Sequence, residues 1–595
     1  MIRQVLTLIL ENNPFMGTLD PAPYQQKIRD LDAYLERNMP ASVEASLKMS
    51  ELTKQKRQRE ENGQDSVDID EELQSLAIKL NEMEAEAISN EQTAEEKEYS
   101  NKVRAREFAK SAIDFINAFQ NANHAFETML LSKYTTDVTE ALRFFVRARH
   151  FQLPCAMTGM RRALSLMWST EKSIRDEVMN AFIDVFISSP TSENDDLLPC
   201  EVIAQNLLVL VGTATESENA SIEEAISELV KSKKLPSDVF LIIWSVVAKA
   251  HGPTKSAALL ILSMGAGADP GLVDSLSRLR LLLDAGFGEN VEESRDWSSV
   301  RSAALALQKI GHVQTNLEEN SAKAIVLDQL IEALSAVTRG DWCHDDSTLD
   351  TNGWFGAAEQ CINAIVSICE NPEEICSNIV KSMEKSILRN TTESTISSTR
   401  LARLFFVLGH VAIKLLVFTE ELCGAVRRST LRKGLNEKSN SKRLSNDTST
   451  RGDYDGTSSE DENELIEKEL GVSAEAEAET EMQFMDMTEN ELVGRGVLGV
   501  FGPLLVKVVA NEDGVYGNEI LVQSSSLALT KFMIVSSSFC EKHLPLLFTV
   551  LSRAKEDVRA NIVVALGDLA FRFPNEGMSF LANIVNIIFL TSAVV

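Results

Sequence analysis

The feature that most constrains this chain is a short helical motif that returns along much of its length. In each copy an Ala precedes an apolar residue, and a second apolar residue stands four positions after the Ala. The copies begin at Ala181, Ala258, Ala306, Ala364, Ala528 and Ala565. The last two copies are 37 positions apart, and the first two are separated by about twice that interval. Since one helical hairpin cannot bury its apolar face alone, a period near ~40 residues predicts hairpins stacked on one another.

Composition supports a helical chain. The 595 residues are 44% apolar and include only 14 Pro and 28 Gly, too few for the turns of a large β protein. We therefore predict an all-α, HEAT/armadillo-type helical-hairpin solenoid with disordered charged insertions. An ordinary globular bundle remains the alternative, because the motif also occurs in other amphipathic helices.

The charge and cysteine content exclude several classes of protein. Fifty-eight basic and 88 acidic side chains give a net charge of −30, which argues against indiscriminate nucleic-acid binding over the whole surface. The 8 cysteines include no CxxC pair, so neither a disulfide framework nor a zinc ribbon is predicted. No cleavage site follows the apolar start, and no run reaches the ~18 apolar residues of a membrane span. Neither secretion nor membrane insertion is expected.

Changes in composition divide the chain into six segments. The central prediction is a solenoid interrupted by a basic-then-acidic insertion, which begins with a cluster of Arg and Lys. The predicted segments are a helical part of the solenoid at 1–49, a charged linker with a partial amphipathic helix at 50–98, HEAT repeats at 99–426, a disordered insertion at 427–472, resumed HEAT repeats at 473–575 and a divergent apolar tail at 576–595.

Motifs that carry chemistry are missing. The sequence has no phosphate loop, no GxSxG elbow and no HExxH helix. The stretch 341–346 brings together metal-capable side chains but lacks tetrahedral ligand spacing, so a solvated loop is predicted. His312 and His410 follow helical glycines and are interpreted as helix-end packing. We predict no enzyme activity, no cofactor, no metal and no small-molecule substrate; an enzyme site assembled from scattered residues is the least favoured hypothesis.

One basic cluster is a candidate binding surface. Arg143 and Arg147 stand four positions apart and share a helix face, and Arg161 and Arg162 are predicted to open the next helix. A solvated face is the simpler interpretation. The functional alternative is a surface that binds DNA phosphates or an acidic peptide.

Several segments resemble a known family in the same order along the chain. These are 136–146, 159–168, 471–479, 489–492 and 558–575. Together they resemble condensin complex subunit 1, a HEAT-repeat, non-SMC regulatory subunit of condensin. The positions of the last segment that match the family motif are Arg559, Asn561, Gly567, Asp568, Arg572, Phe573, Pro574 and Asn575.

The resemblance implies a non-catalytic scaffold. Members of this family bind the kleisin and the SMC ATPase heads, and help the complex hold chromosomal DNA and compact chromosomes in mitosis. A nuclear and chromosomal location is implied, with a cytoplasmic pool outside mitosis. Relative to the family, the N-terminal region is missing and the chain diverges after Asn575. The alternative from another class is a HEAT-repeat nuclear transport receptor or adaptor.

Overall fold

A computed structural model describes most of the chain, and every regular element in it is helical. The described residues are 2–15, 18–39, 41–61, 69, 72–79, 94–188, 199–311, 321–343, 348–389, 397–446 and 496–573. The first helices are α1 (Ile2–Glu11), α2 (Pro21–Arg37), α3 (Ala41–Glu61), α4 (Ala94–Leu130), α5 (Thr135–His150), α6 (Cys155–Leu164) and α7 (Lys172–Phe182). The next are α8 (Pro199–Gly212), α9 (Glu216–Lys231), α10 (Ser237–Lys249), α11 (Pro253–Ala266), α12 (Leu276–Phe287), α13 (Glu289–Ser294), α14 (Trp297–Gln308) and α15 (Ala322–Arg339). The last are α16 (Thr348–Ile368), α17 (Pro372–Arg389), α18 (Ser398–Asn446), α19 (Val497–Ala510), α20 (Glu519–Val535), α21 (Ser537–Arg553) and α22 (Glu556–Arg572).

The chain divides into two compact units. Unit 1 comprises Met1–Asn206 and Ala214–Ala225, and unit 2 comprises Leu207–Thr213 and Ile226–Val595. Helices α1 to α7 belong to unit 1 and α10 to α22 to unit 2, while α8 and α9 contribute residues to both.

Aromatic packing between α4 and α5 forms the centre of unit 1. The rings of Phe126 on α4 and Phe144 on α5 are stacked with their centroids 3.8 Å apart. Phe145 packs edge-on against Phe144 and leaves no room for a Cβ at Gly159, so α6 lies directly against α5. Helix α7 packs on the same central helix. The result is a pair of neighbouring hairpins, α4–α5 and α6–α7, joined through α5.

Unit 2 is a stack of helical hairpins. The hairpins are α10–α11, α12–α14, α15–α16, α17–α18, α19–α20 and α21–α22. Their second helices pack on one another in chain order, from α11 through α14, α16, α18 and α20 to α22. Every copy of the Ala motif lies on a second helix, and its Ala is buried. The prediction of an all-α stack of HEAT-type hairpins is confirmed.

Small residues set the distance between second helices. Gly409 on α18 faces Ala528 on α20, and a Cβ added at Gly409 would lie 2.9 Å from the Ala528 Cα. Only a residue without a side chain fits there, because packed cores cannot absorb such an overlap without moving the backbone. The Ala of the motif is therefore a point of close helix approach.

One interpretation of a helix end is wrong. His410 lies inside α18, far from either end, and is 5% exposed. Its sequence echo with His312 does not reflect equivalent structure, because Gly311 follows the end of α14 with φ +74° whereas Gly409 is helical. His312 itself lies outside the described residues.

The predicted segment boundaries stay predictions, although two of them fall inside helices. Helix α3 continues past residue 49, and α18 continues past residue 426 to Asn446. Residues 447–495 and 574–595, which contain most of the predicted insertion and all of the predicted tail, lie outside the described residues.

Part of α18 is apolar enough to cross a membrane by length and composition. This part, Ser398–Val426, contains an 18-residue window with a mean hydropathy of 2.0, and 72% of the window is buried inside the protein. Because α16, α17 and α20 pack against this part of α18, its composition is that of a core helix.

Candidate interaction cleft

A cleft in unit 1 brings the first two predicted arginines together. Arg143, Arg147 and His150 project from one face of α5 at helical spacing and line this cleft, which we call the α5–α7 cleft. They face outward because the opposite side of α5 is occupied by core residues such as Phe144 and Phe145. The cleft has a volume of about 570 Å³, enough for a few side chains of a partner.

The second wall of the cleft is acidic. Glu177 on α7 and Asp184 in the π-helical turn that follows it line this wall, with Asn180 between them. At the mouth, Glu11 accepts a hydrogen bond of 3.1 Å from Nε of Arg147. Both partners are more than one third exposed, so this ion pair contributes little stability. The cleft thus presents cations on one side and carboxylates on the other.

A third arginine is held in the wall of the cleft. Arg149 is half-buried, and its Nε has no hydrogen-bond partner among the described residues. Burial lowers the pKa of Arg149, because a low-dielectric surrounding disfavours the charged form. An incoming oxygen acceptor would satisfy this donor.

Arg161 and Arg162 are not part of the cleft. The prediction that they open a helix is wrong. They lie in the last turn of α6, because the helix already begins at Cys155. Arg162 forms an ion pair and hydrogen bond with Glu127 on α4, whose side chain is 10% exposed. Arg161 is half-buried. The four predicted arginines therefore do not form one surface: two line the cleft, and Arg162 is tied to α4.

The family-motif residues lie on and just after α22 in unit 2. Asn561, Gly567 and Asp568 are exposed, and Arg572 donates a hydrogen bond of 2.7 Å to Glu420 on α18. Nε of Arg559 is buried without a hydrogen-bond partner in the described structure. Phe573 is half-buried, while Pro574 and Asn575 lie outside the described residues. The motif thus contributes one ion pair between α22 and α18 and a solvent-exposed face of α22.

A row of hydrogen bonds that sequence reasoning missed links successive second helices of unit 2. Gln308 on α14 donates to the side chain of Gln360 on α16 at 3.0 Å, and Asn363 donates to the same oxygen at 3.2 Å. Nε2 of His410 lies 3.0 Å from Oδ1 of Asn363, and Nδ1 of His410 lies 3.3 Å from Nζ of Lys531 on α20. We call these five side chains the polar ladder. A sequence signal existed, namely a polar residue on each of these apolar helices, but nothing in the sequence showed that the residues meet.

Burial controls the ionisation of the polar ladder. Desolvation, reinforced by the charges of Lys531 and Lys414, lowers the pKa of His410 to about 2. The ring is therefore neutral near pH 7, as its two hydrogen bonds require. Lys531 responds to the same burial, which lowers its pKa to about 8 against the opposing charge of Glu359.

The described residues contain no group of three or more side chains suited to hold a metal ion. Of the metal-capable stretch 341–346, positions 341–343 are described, and they follow the end of α15. Cys361 and Cys376 are buried, and burial raises the pKa of both thiols. Such thiols behave as small apolar core residues, not as nucleophiles or ligands.

Comparison with known proteins connects the chain to a single group of relatives. No family model matches it. Condensin complex subunit 1 of Homo sapiens is 29% identical over 495 residues, which cover 79% of this chain and 33% of the human protein. Condensin-1 complex subunit CAP-D2 of Arabidopsis thaliana is 28% identical over 75% of this chain and 31% of the plant protein. Condensin complex subunit 1 of Schizosaccharomyces pombe is 25% identical over 87% of this chain and 46% of the yeast protein.

The chain is similar to condensin subunit 1 proteins over most of its length. Condensin subunits of an animal, a plant and a fungus each match 75–87% of this chain. It spans about a third of the length of the human and plant relatives and under half of the yeast relative. Among solved structures, a crystal structure of importin beta aligns over 98% of this chain and 72% of its own, with 13% identity and a TM-score of 0.33. A score that low carries no argument about function.

Proposed function

We propose that this chain is a non-catalytic HEAT-repeat scaffold subunit of condensin. In this role it binds the kleisin and the SMC ATPase heads and, with them, chromosomal DNA, and promotes mitotic chromosome condensation in the nucleus and on chromosomes. A cytoplasmic pool is expected outside mitosis. The observation that carries the proposal is the likeness to condensin subunit 1 proteins of three kingdoms over most of the chain. A stack of hairpins supports it, because such a stack offers long surfaces to other macromolecules.

The charges of the α5–α7 cleft favour a polypeptide over duplex DNA as its ligand. A duplex would bring a uniform row of phosphates against Glu177 and Asp184 as well as against the arginines. A peptide segment that carries both acidic and basic side chains matches both walls, and opposite charges placed in register give specificity. We therefore assign the cleft to a protein partner, with the kleisin as the first candidate.

Co-purification tests the proposal. The full chain is expressed with the kleisin and SMC subunits of its own organism, and the complex is recovered by a tag on this chain. We expect the partner chains to be recovered, and the chain purified alone to have no ATPase activity. Recovery of neither kleisin nor SMC chains would contradict the proposal, and recovery of a small GTPase or a transport cargo would favour the nuclear transport alternative instead.

A matched pair of variants tests the cleft. Arg143→Glu with Arg147→Glu reverses the basic wall. Lys231→Glu with Lys234→Glu makes the same change of charge at exposed positions that do not line the cleft. If the cleft binds the partner, kleisin recovery falls at least tenfold in the first variant and stays unchanged in the second. Equal recovery in both variants would place the partner elsewhere.

A further inference from the structure

A groove in unit 2 lies between the first helices of the last two hairpins that the structure describes. It is bounded by the C-terminal parts of α19 and α21 and floored by the first half of α20, and we call it the α19–α21 groove. Val522, Leu546 and Val550 line it, are half-buried and give it apolar walls. Its volume is about 230 Å³, below the ~300–1,000 Å³ of sites that enclose a drug-sized molecule. The groove therefore suits one large side chain of a partner, not a cofactor.

A buried hydroxyl belongs to the same groove. Ser526 on α20 lines it and is only 3% exposed, and its Oγ forms no hydrogen bond with any described residue. Its neighbour Ser525 differs, because that hydroxyl donates to the backbone carbonyl of Val522 at 3.3 Å. A buried hydroxyl without a partner is unfavourable, and polar groups inside proteins are nearly always paired. The groove therefore favours an occupant with apolar sides and a polar tip that reaches Ser526.

The rim of the groove carries one positive charge. Among the described residues that line the groove, Arg553 alone is charged, and it is exposed in the last turn of α21. Within the described part of the chain its guanidinium forms no ion pair or hydrogen bond. Thr549, one turn earlier, is already paired, because its hydroxyl donates to the carbonyl of Pro545 at 2.9 Å. A single exposed cation matches one carboxylate of a partner and not the row of phosphates along a nucleic acid.

We propose that the α19–α21 groove binds a segment of a partner polypeptide that inserts a tyrosine side chain and places an acidic side chain against Arg553. The tyrosine ring packs on the apolar walls, and its phenol forms a hydrogen bond with the Ser526 hydroxyl. The acidic side chain accepts hydrogen bonds from the Arg553 guanidinium. This inference goes beyond the proposed scaffold function and does not depend on which complex the chain joins.

Other anchoring side chains satisfy fewer of these groups. Leucine or phenylalanine would fill the apolar walls but leave the Ser526 hydroxyl unpaired, and lysine or arginine would bring a second cation toward Arg553. A phenol both donates and accepts, so it matches a serine hydroxyl in either orientation. Because Ser526 and Arg553 line one small groove, we expect the tyrosine and the acidic residue within about three positions of each other in the partner segment.

Peptide selection on the full chain tests the proposal without knowledge of the partner. A phage-displayed library of random dodecapeptides is first depleted on the immobilised Arg553→Glu variant and then selected on the parent chain. We expect the recovered peptides to share a tyrosine with an aspartate or glutamate within about three positions. Recovery of no peptide that prefers the parent chain, or of peptides that lack this pair, would overturn the proposal.

A matched pair of variants tests the role of the rim. The dissociation constant of a selected peptide, labelled with fluorescein, is measured by fluorescence anisotropy. Arg553→Glu should weaken binding about tenfold or more, because a charge-assisted hydrogen bond is replaced by repulsion. Lys542→Glu makes the same change of charge at an exposed position of α21 that does not line the groove, and should leave binding unchanged. Equal weakening by both variants would contradict a contact at Arg553.

Ser526→Ala tests the floor of the groove and separates hydrogen bonding from packing. With the parent chain, replacing the peptide's tyrosine by phenylalanine should weaken binding about fivefold, because the Ser526 hydroxyl loses its partner. With the Ser526→Ala variant this difference should vanish or reverse. Circular dichroism and thermal unfolding verify that each variant is folded. An undiminished preference for tyrosine in the folded Ser526→Ala variant would contradict the pairing of the phenol with Ser526.

Discussion

Two glycines on second helices show that the effect of a substitution on stability depends on what packs against the residue. Gly409 on α18 lies against Ala528, whereas at Gly567 on α22 no atom of the described residues, apart from the adjoining residues and backbone of its own helix, lies within 4 Å of the position of an added Cβ. Both are helical, so their intrinsic cost to the helix is the same. Their substitutions should therefore differ in sign.

Gly409→Ala should lower the free energy of unfolding by about 1–3 kcal/mol, because the added methyl overlaps α20. Gly567→Ala should raise it by about 0.5–1 kcal/mol, because Ala is the better helix former and nothing is displaced. Urea denaturation of the two variants beside the parent chain measures both values. Equal effects would show that the approach of α18 to α20 is looser than described.

His410 should make stability depend on pH. In the unfolded chain a histidine binds a proton near pH ~6.5, whereas the buried ring resists protonation down to about pH 2. The unfolded state therefore binds more protons below pH ~6.5, and stability is lost as the pH falls through that value.

His410→Gln keeps a donor for Asn363 and an acceptor for Lys531 but does not titrate. Between pH 6 and 5, unfolding free energy should fall more steeply in the parent than in this variant, by up to about 1.4 kcal/mol per pH unit. Urea midpoints at several pH values give the two profiles. Parallel profiles would contradict the buried, neutral state of the ring.

At the scale of helices, hydrogen bonds and ion pairs between segments far apart in the chain connect the hairpins of unit 1. Glu127 on α4 receives hydrogen bonds from Arg162 on α6 and from Asn123 one turn away on its own helix. Because the Glu127 side chain is only 10% exposed, these partners replace hydrogen bonds to water that burial removes. Arg162 thus has a structural role, unlike the exposed Arg143.

Arg162→Ala should cost about 2 kcal/mol of unfolding free energy, because it leaves a buried carboxylate without its cation. Arg143→Ala should change stability by less than about 0.5 kcal/mol, as is usual for exposed positions. Thermal or urea unfolding distinguishes them. Adding Glu127→Gln to Arg162→Ala should recover part of the loss, and no recovery would argue against a charge effect.

Sequence analysis predicted the helices but not these hydrogen bonds and ion pairs between them. The period of the Ala motif identified second helices, because buried positions recur once per turn of the helix. Every copy of the motif therefore has apolar residues at the same spacing. The polar ladder, the Glu127–Arg162 pair and the Glu11–Arg147 pair join residues on different helices, and local spacing says nothing about which helices meet. The prediction that Arg161 and Arg162 open a helix is wrong because α6 already begins at Cys155, six residues before Arg161.

At the scale of the whole molecule, charge limits what the chain does alone. A net charge of −30 opposes association with a polyanion, and the basic wall of the α5–α7 cleft faces an acidic wall. Duplex DNA is therefore expected to be held by the assembled complex, with partner chains supplying much of the positive surface.

Replacing Arg143, Arg147, Arg161 and Arg162 by Glu should leave the weak DNA retention of the isolated chain unchanged, because these residues do not form one surface. Electrophoretic mobility shifts with a short duplex at low and physiological salt measure this, after circular dichroism has verified the helical content. A loss of DNA binding at low salt would restore the phosphate-binding interpretation of the four arginines.

The tight approach of Gly409 to Ala528 has a mechanical consequence for unit 2. Each second helix contacts only its neighbours in the stack, so any bending is divided among successive joints. Where the backbones of two second helices nearly touch, as at Gly409 and Ala528, the contact resists compression. Where amide side chains connect two second helices, as between α14 and α16, the hydrogen bonds re-form after small displacements. Under an applied load, unit 2 would flex unevenly, with its compliance set by the side chains at each joint.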